Sequence, residues 1–127
     1  AIPTEIEKAN KALEKQESTL ESLTQKRNAL AAENKSLGST KGGINRKITA
    51  KEAEQSNLIA QMSSLEASGV KKNSAEYKAL ASQYNILTQE LKKLKSESTE
   101  LDSTMAKNRA TIANLDSQIN TTKTKFR

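Results

Sequence analysis

The sequence contains no cysteine, no histidine and no tryptophan, and only one proline. Without Cys and His it can form no disulfide, and it lacks thiol nucleophiles and the usual zinc ligands. The aromatic fraction of 2% and the hydrophobic fraction of 34% leave too little bulky apolar material for a wide globular core. No stretch approaches the roughly 18 consecutive apolar residues of a membrane span. Composition therefore predicts no cofactor, no metal and no membrane-spanning segment.

The net charge of +6 is spread unevenly along the chain. Residues 39–73 carry six Lys/Arg against three acids, and residues 102–127 carry five against two. The simplest interpretation is a solvated helical surface, and weak attraction to nucleic acid or another polyanion is the alternative. The first residue is Ala1 rather than Met, which indicates a processed chain or a piece of a longer one.

The second half of the chain carries a heptad repeat. From residue 77 onward, seam residues recur at spacings of three and four for about seven heptads, which is typical of a coiled coil. A stripe this narrow cannot pack a globular core and requires a facing helix. Its apolar members are Tyr77, Leu80, Tyr84, Leu87, Leu91, Leu94, Leu101, Met105, Ile112, Leu115, Ile119 and Phe126.

The first half follows the same repeat with more polar interruptions. Its apolar a and d positions are Ile6, Leu13, Leu20, Leu23, Leu30, Leu37, Ile44, Ile48, Leu58, Met62 and Leu65. Long polar side chains occupy other seam positions, namely Arg27, Lys41, Lys51 and Gln55. We interpret them as side chains that reach past the seam or mark loose layers. The alternative is a weak segment that bends or exchanges partners.

The glycine-rich segment 38–43 interrupts this first half. Gly38, Gly42 and Gly43 would ordinarily end a helix, yet the heptad frame is the same on both sides of them. This favours one helix with a weak point over two helices with a loop. In the two-helix alternative, Thr49 and Glu52 would form a capping box for the restart.

The clearest predicted boundary is the segment 69–74. Gly69 suits a left-handed helix cap, and Asn73 with Glu76 suits an N-cap with a reciprocal partner. The heptad frame also slips here. The chain therefore divides into a helix over residues 1–68, a turn at 69–74 and a second helix over 75–127.

Two helices joined by a short turn most simply fold back on each other, so the sequence predicts an all-α antiparallel coiled-coil hairpin. Placing Leu65 opposite Tyr77 makes the numbers of facing residues add to 142. Asn34 then faces Asn108, and a buried Asn pair would fix the register. The alternative is an extended, parallel coiled-coil oligomer.

No catalytic constellation is predicted. The acidic residues lie on solvated helical faces with nothing apolar around them to shift a pKa. Residues 38–43, Gly-Ser-Thr-Lys-Gly-Gly, lack the order of a phosphate-binding loop and follow a helix rather than a strand. The sequence therefore predicts no enzyme.

The stretch 65–81, LEASGVKKNSAEYKALA, and the stretch 88–95, TQELKKLK, carry a family resemblance. They resemble coiled-coil segments of phage tail tape-measure proteins, in which helices are separated by similar Gly-x-x-x-Asn-Ser-x-Glu-Tyr turns. The resemblance implies assembly with other virion proteins and transfers no catalytic residue. Tape-measure proteins are far longer and contain an apolar membrane-active segment that this sequence lacks.

Three functions are consistent with the sequence. The first is a phage virion component, tape-measure-like or internal, that mediates assembly. The second is a cellular spacer or adaptor hairpin that binds other proteins, and the third is a secreted or surface-attached helical structure. All three imply protein partners through the coiled coil, among them further copies of the chain. The first two place the protein in a virion or the cytoplasm, which we favour over secretion.

Overall fold

A computed structural model describes residues 2–125, with side chains described from Thr4 to Lys125. The chain forms two α-helices, α1 (Ile2–Ala67) and α2 (Ala75–Lys125), which pack against each other as a helical hairpin. Strands are absent from residues 2–125. The chain thus folds back on itself, and the extended alternative is not observed. Phe126 lies outside the described residues.

α1 passes through residues 38–43 without interruption, so the loop of the two-helix alternative is not observed. The three glycines there have helical rather than left-handed backbone angles, since Gly69 is the glycine with positive φ. The Thr49 hydroxyl donates to the carbonyl of Asn45 within the helix, at 3.1 Å, and does not cap a new one. Pro3 lies in the first turn of α1, where a missing N–H has no intrahelical partner to lose.

The chain divides into two compact units, and each contains parts of both helices. Unit 1 comprises Ala1–Leu37 with Ser103–Arg127, and unit 2 comprises Gly38–Asp102 and includes the turn. Unit 2 contains three buried leucines, Leu58, Leu87 and Leu91. In unit 1 the buried leucine is Leu115.

The turn begins with a Schellman motif at the end of α1. The Val70 N–H donates to the Leu65 carbonyl at 2.9 Å, and the Gly69 N–H donates to the Glu66 carbonyl at 3.0 Å. Gly69 has φ of +87°, a conformation that strains any residue with a Cβ. The motif satisfies carbonyls that the end of α1 would otherwise leave unpaired.

The N-cap of α2 is Ser74, one residue later than predicted. The Tyr77 N–H donates to Ser74 Oγ at 3.1 Å, and the Lys78 N–H donates to the Ser74 carbonyl at 3.0 Å. Asn73 lies in the turn, one residue too early for its side chain to reach the same N–H. Because Asn and Ser cap helices about equally well, their adjacency made the prediction wrong by one position.

Candidate functional site: the seam between the helices

The seam between the two helices is the region where the described side chains converge. Leu58, Leu87, Leu91 and Leu115 are between 5% and 8% exposed. Most other predicted seam residues are half-buried, and these are Leu20, Leu23, Leu30, Leu37, Ile44, Ile48, Met62, Leu65, Tyr77, Leu80, Tyr84, Leu94, Leu101, Met105, Ile112 and Ile119. The half-burial follows from the architecture, because one facing helix covers only one side of each side chain.

Two predicted seam residues are instead exposed. Ile6 is 54% exposed and Leu13 is 48% exposed, although both occupy a positions of the heptad frame. With Asn34 opposite Asn108, the last described residue of α2, Lys125, comes opposite residue 17. No described residue of α2 therefore lies across from Ile6 or Leu13.

The structure brings Asn34 and Asn108 together in unit 1. Asn108 Nδ2 donates to Asn34 Oδ1 at 2.8 Å, and Asn34 Nδ2 donates to the Met105 carbonyl at 3.1 Å. Both side chains are half-buried. A register shift would leave these amides facing apolar neighbours, so the pair favours one register over its competitors.

Two further polar seam residues of α1 have partners in unit 1. Arg27 Nε donates to Asp116 Oδ1 at 2.9 Å. Gln16 Nε2 donates to the carbonyl of Thr122 at 3.1 Å. Each contact spans the two helices and is made where an apolar side chain would normally lie.

Three polar seam residues of α1 are paired in the same way within unit 2. Lys41 binds Asp102 and Lys51 binds Glu90, both through salt bridges. Gln55 Nε2 donates to Thr88 Oγ1 at 2.7 Å and to the Tyr84 carbonyl at 3.3 Å. Each of these three side chains therefore reaches an acceptor on α2.

The environment of Lys51 favours its charged form. The hydrogen bond to the Glu90 carboxylate raises the pKa of Lys51 above the usual 10.5, and the charges of Glu90 and Glu54 add to this. Partial burial opposes the shift but does not overcome it. Lys51 is therefore a fixed cation at neutral pH and not a candidate general base.

Tyr77 joins the start of α2 to the end of α1. Its hydroxyl donates to Glu66 Oε1 at 3.1 Å, and this hydrogen bond is the main cause that raises the pKa of Tyr77 above its ordinary 10.0. Glu66 lies in the last turn of α1, which contains no basic residue to balance the negative end of the helix dipole. Tyr77 and Lys72, whose Nζ is 3.7 Å from Glu66 Oε1, stabilise that carboxylate.

The concave features of unit 2 are open grooves between the helices. One has a volume of about 400 Å³ and is lined by Leu58, Leu87 and Ile86, by the carboxylate of Glu54 and by three side-chain amides. Among the described residues, no group of three or more Asp, Glu, His or Cys is placed to hold a metal ion. Neither described helix contains a stretch long and apolar enough to cross a membrane.

Comparison with protein-family models, curated proteins and solved structures gives no match. The sequence did hold a signal for the paired polar residues, because an acid lies within one residue of the position facing Arg27, Lys41 and Lys51 in the 142 register. The simultaneous presence of three such acids was the pattern that sequence reasoning missed.

Proposed function

We propose that this protein is a non-catalytic coiled-coil hairpin that acts as a spacer or adaptor between other proteins. One observation carries the proposal: the six polar seam residues of α1 described above all bind α2. The polar chemistry at the centre of the molecule thus holds the helices in register instead of facing a substrate. A fixed pairing of this kind suits a part whose role is mechanical.

The partner contacts of such a hairpin would lie on its exposed surfaces, and the lysines indicate where to look. Lys71 and Lys72 are exposed in the turn, and Lys123 and Lys125 are exposed near the end of α2. Each pair belongs to a region with a basic surplus. Acidic protein surfaces are the partners that such regions attract.

Lysine-specific cross-linking of the tagged protein in its source, followed by mass spectrometry, tests the proposal. We expect one partner protein cross-linked through Lys71 or Lys72 and a different one through Lys123 or Lys125. The matched control is Leu91→Asp, which keeps these four lysines but disrupts the seam, and it should lose both cross-links. Retention of the cross-links in Leu91→Asp would show that the hairpin is not required and would contradict the proposal.

A second candidate is a phage virion component. The resemblance of residues 65–81 and 88–95 to tape-measure segments supports it, with a turn falling inside the first stretch. Quantitative mass spectrometry of the native complex separates the two candidates. A virion component should be recovered in many equivalent copies with other virion proteins, whereas an adaptor should be recovered in one or two copies with two unlike partners.

A further inference from the structure

An open groove runs between the two helices of unit 2 on the side next to the turn. Its two adjoining sections have volumes of about 400 Å³ and about 570 Å³, and Gln61 lines both of them. The groove extends over residues 54–65 of α1, which is about three helical turns or roughly 17 Å. Its floor consists of seam leucines from both helices, namely Leu58, Leu65, Leu80 and Leu87. We call it the turn-side groove.

The charged residues that line the turn-side groove are acids. They are Glu54 and Glu76, and no lysine or arginine lines either section, although the chain has a net charge of +6. Lys51 lies near Glu54 but forms its salt bridge with Glu90. The groove is therefore locally acidic in a basic chain.

The adjacent section of the groove, farther from the turn, has a different character. Its lining contains three lysines and three glutamates, so its charges balance. These residues are Lys47, Lys51, Lys93, Glu54, Glu90 and Glu97. The unbalanced negative charge thus belongs to the turn-side groove.

The polar side chains of the turn-side groove also differ from those of the seam. The six polar seam residues of α1 all bind α2. By contrast, no described residue forms a hydrogen bond or salt bridge with the side chains that line the groove at Glu54, Asn57, Gln61, Glu76 and Gln83. Two carboxylates and three amides therefore remain available to a partner.

Ile86 adds an exposed apolar contact to the rim of the groove. It is 54% exposed and lies next to Leu87, which is 7% exposed. Ile59 is almost as exposed, at 48%, but it lines neither section of the groove. The two isoleucines therefore form a matched pair, one inside the groove and one outside it.

We propose that the turn-side groove binds an amphipathic helix of another protein, with leucine-like side chains facing the groove and lysine or arginine on its flanks. The floor leucines recur at a spacing of seven on each helix, which is the spacing that a third coiled-coil helix matches. The basic flanks pair with Glu54 and Glu76. The groove is open along its length, whereas small-molecule sites enclose most of the ligand.

Charge argues against a second copy of the chain in the same groove. A two-fold contact would place the groove against itself, so Glu54 and Glu76 would meet carboxylates and no cation. As a partner-binding surface, the groove rests on the proposed role as an adaptor. Its test uses the purified chain and synthetic peptides, so it can fail while the cross-linking experiment succeeds.

Fluorescence anisotropy with a labelled peptide tests the proposal. The probe is a peptide of three heptads with leucine at a and d, lysine at e and g, and alanine elsewhere. We expect it to bind the full chain with a Kd of about 10–100 μM, because a contact of three turns is at the small end of specific interfaces. A peptide with glutamate in place of every lysine should bind at least about tenfold more weakly.

Two sets of variants locate the contact. Ile86→Gln should weaken binding of the lysine peptide about five- to tenfold by removing an apolar contact, whereas Ile59→Gln should change it less than about twofold. The double variant Glu54→Lys/Glu76→Lys should reverse the preference, so that the glutamate peptide binds more tightly than the lysine peptide. Circular dichroism of each variant establishes that the helices persist.

Three results would overturn the proposal. They are no binding of the lysine peptide up to about 1 mM, equal weakening by Ile86→Gln and Ile59→Gln, and equal affinity for the two peptides in the natural chain. Sedimentation equilibrium of the chain without peptide examines the other occupant. A dimer that Ile86→Gln weakens and Ile59→Gln does not would assign the groove to a second copy, which also overturns the proposal.

Discussion

α1 and α2 pack against each other, yet they bring different side chains to the contact. Among the described residues, three of the four buried leucines belong to α2. α1 brings six polar seam residues, and all six donate hydrogen bonds or ion pairs to acceptors on α2. The acceptors on α2 are carboxylates, one hydroxyl and backbone carbonyls. Each of these carbonyls belongs to a residue a few positions before the one that faces the donor in the 142 register.

The two helices thus contribute unequally to two properties of the coiled coil, namely its stability and its preference for one register. Apolar burial drives association and is indifferent to small shifts, whereas directional polar contacts cost stability but discriminate between registers. α2, whose seam is the more apolar, thus contributes most of the buried leucines, and the polar seam residues of α1 contribute most of the specificity for one register. The variants below test this division.

The largest expected effect on stability comes from placing a charge at a buried seam position of α2. Leu91→Asp puts a carboxylate where the side chain is 5% exposed, and we expect a loss of about 3–5 kcal/mol in the free energy of unfolding. Urea unfolding followed by circular dichroism measures it. Ile86→Asp, on the same helix at a position that is 54% exposed, should change stability by no more than about 0.5 kcal/mol. Equal effects would mean that burial on α2 is not the main driving force.

Removing the Asn34–Asn108 pair should raise the stability of the hairpin and reduce its preference for one register. Asn34→Leu/Asn108→Leu replaces two half-buried amides with apolar side chains, and we expect a gain of about 1–2 kcal/mol, visible as a higher Tm. The same change should loosen the register, because the pair no longer penalises a shift. Unchanged Tm would show that the hydrogen-bonded pair stabilises the hairpin as well as leucines do.

Engineered disulfides read the register in that variant. Leu30→Cys with Ile112→Cys places thiols on facing layers of the native register, whereas Leu30→Cys with Ile119→Cys requires a slip of one heptad. In the natural background only the first pair should close efficiently. In the double-leucine background the second pair should also close, and its failure to do so would assign the register to the salt bridges.

Replacing glycines by alanine tests whether the glycines of residues 38–43 make the backbone of α1 less stable. A Cβ at Gly42 or Gly43 would come no closer than 3.7 Å to the Arg46 side chain, so alanine fits at either position. Each substitution should raise stability by about 0.5–1 kcal/mol by reducing the freedom of the unfolded chain. Gly69→Ala should lower it by about 1–2 kcal/mol, because φ there is +87°. Destabilisation by alanine at 42 or 43 would indicate that the segment must bend.

The smallest expected effect is a pH dependence at the polar contacts. The pKa values of Lys51 and Tyr77 are both raised by carboxylates of the other helix. The folded state therefore holds these protons more tightly than the unfolded state. Their contribution is complete below about pH 10 and is lost as pH rises through the folded pKa values. Urea titrations at pH 8 and pH 11 measure it, and the double variant Lys51→Met/Tyr77→Phe should show a shallower decline.

Much of the fold was accessible from the sequence because periodicity and turn chemistry agree. The heptads predicted the helices, and Gly69 predicted the turn. The choice of 142 as the sum of facing positions predicted the contact between Asn34 and Asn108. That prediction succeeded because a buried amide restricts the choice of partner far more than a leucine does.

Other features depend on details that periodicity does not encode. The cap fell on Ser74 and not Asn73, two residue types with nearly equal capping strength. The heptad frame continues across residues 38–43, which favoured one helix, but the three glycines in this segment kept a loop as the alternative. Ile6 and Leu13 share the seam pattern of Leu20, yet both are exposed.

The turn also has a consequence for the order in which the contacts form. Tyr77 and Glu66 are 11 residues apart in sequence, Lys51 and Glu90 are 39 apart, and Gln16 and Thr122 are 106 apart. Closing a loop costs more entropy as the loop lengthens, unless nearer contacts have already shortened it. Each layer that forms beside the turn brings the next layer within reach. The contacts between the helices are therefore expected to form in order of their distance from Gly69. Side chains near Leu58 should have high φ-values in kinetic experiments, and those near Leu23 should have low ones.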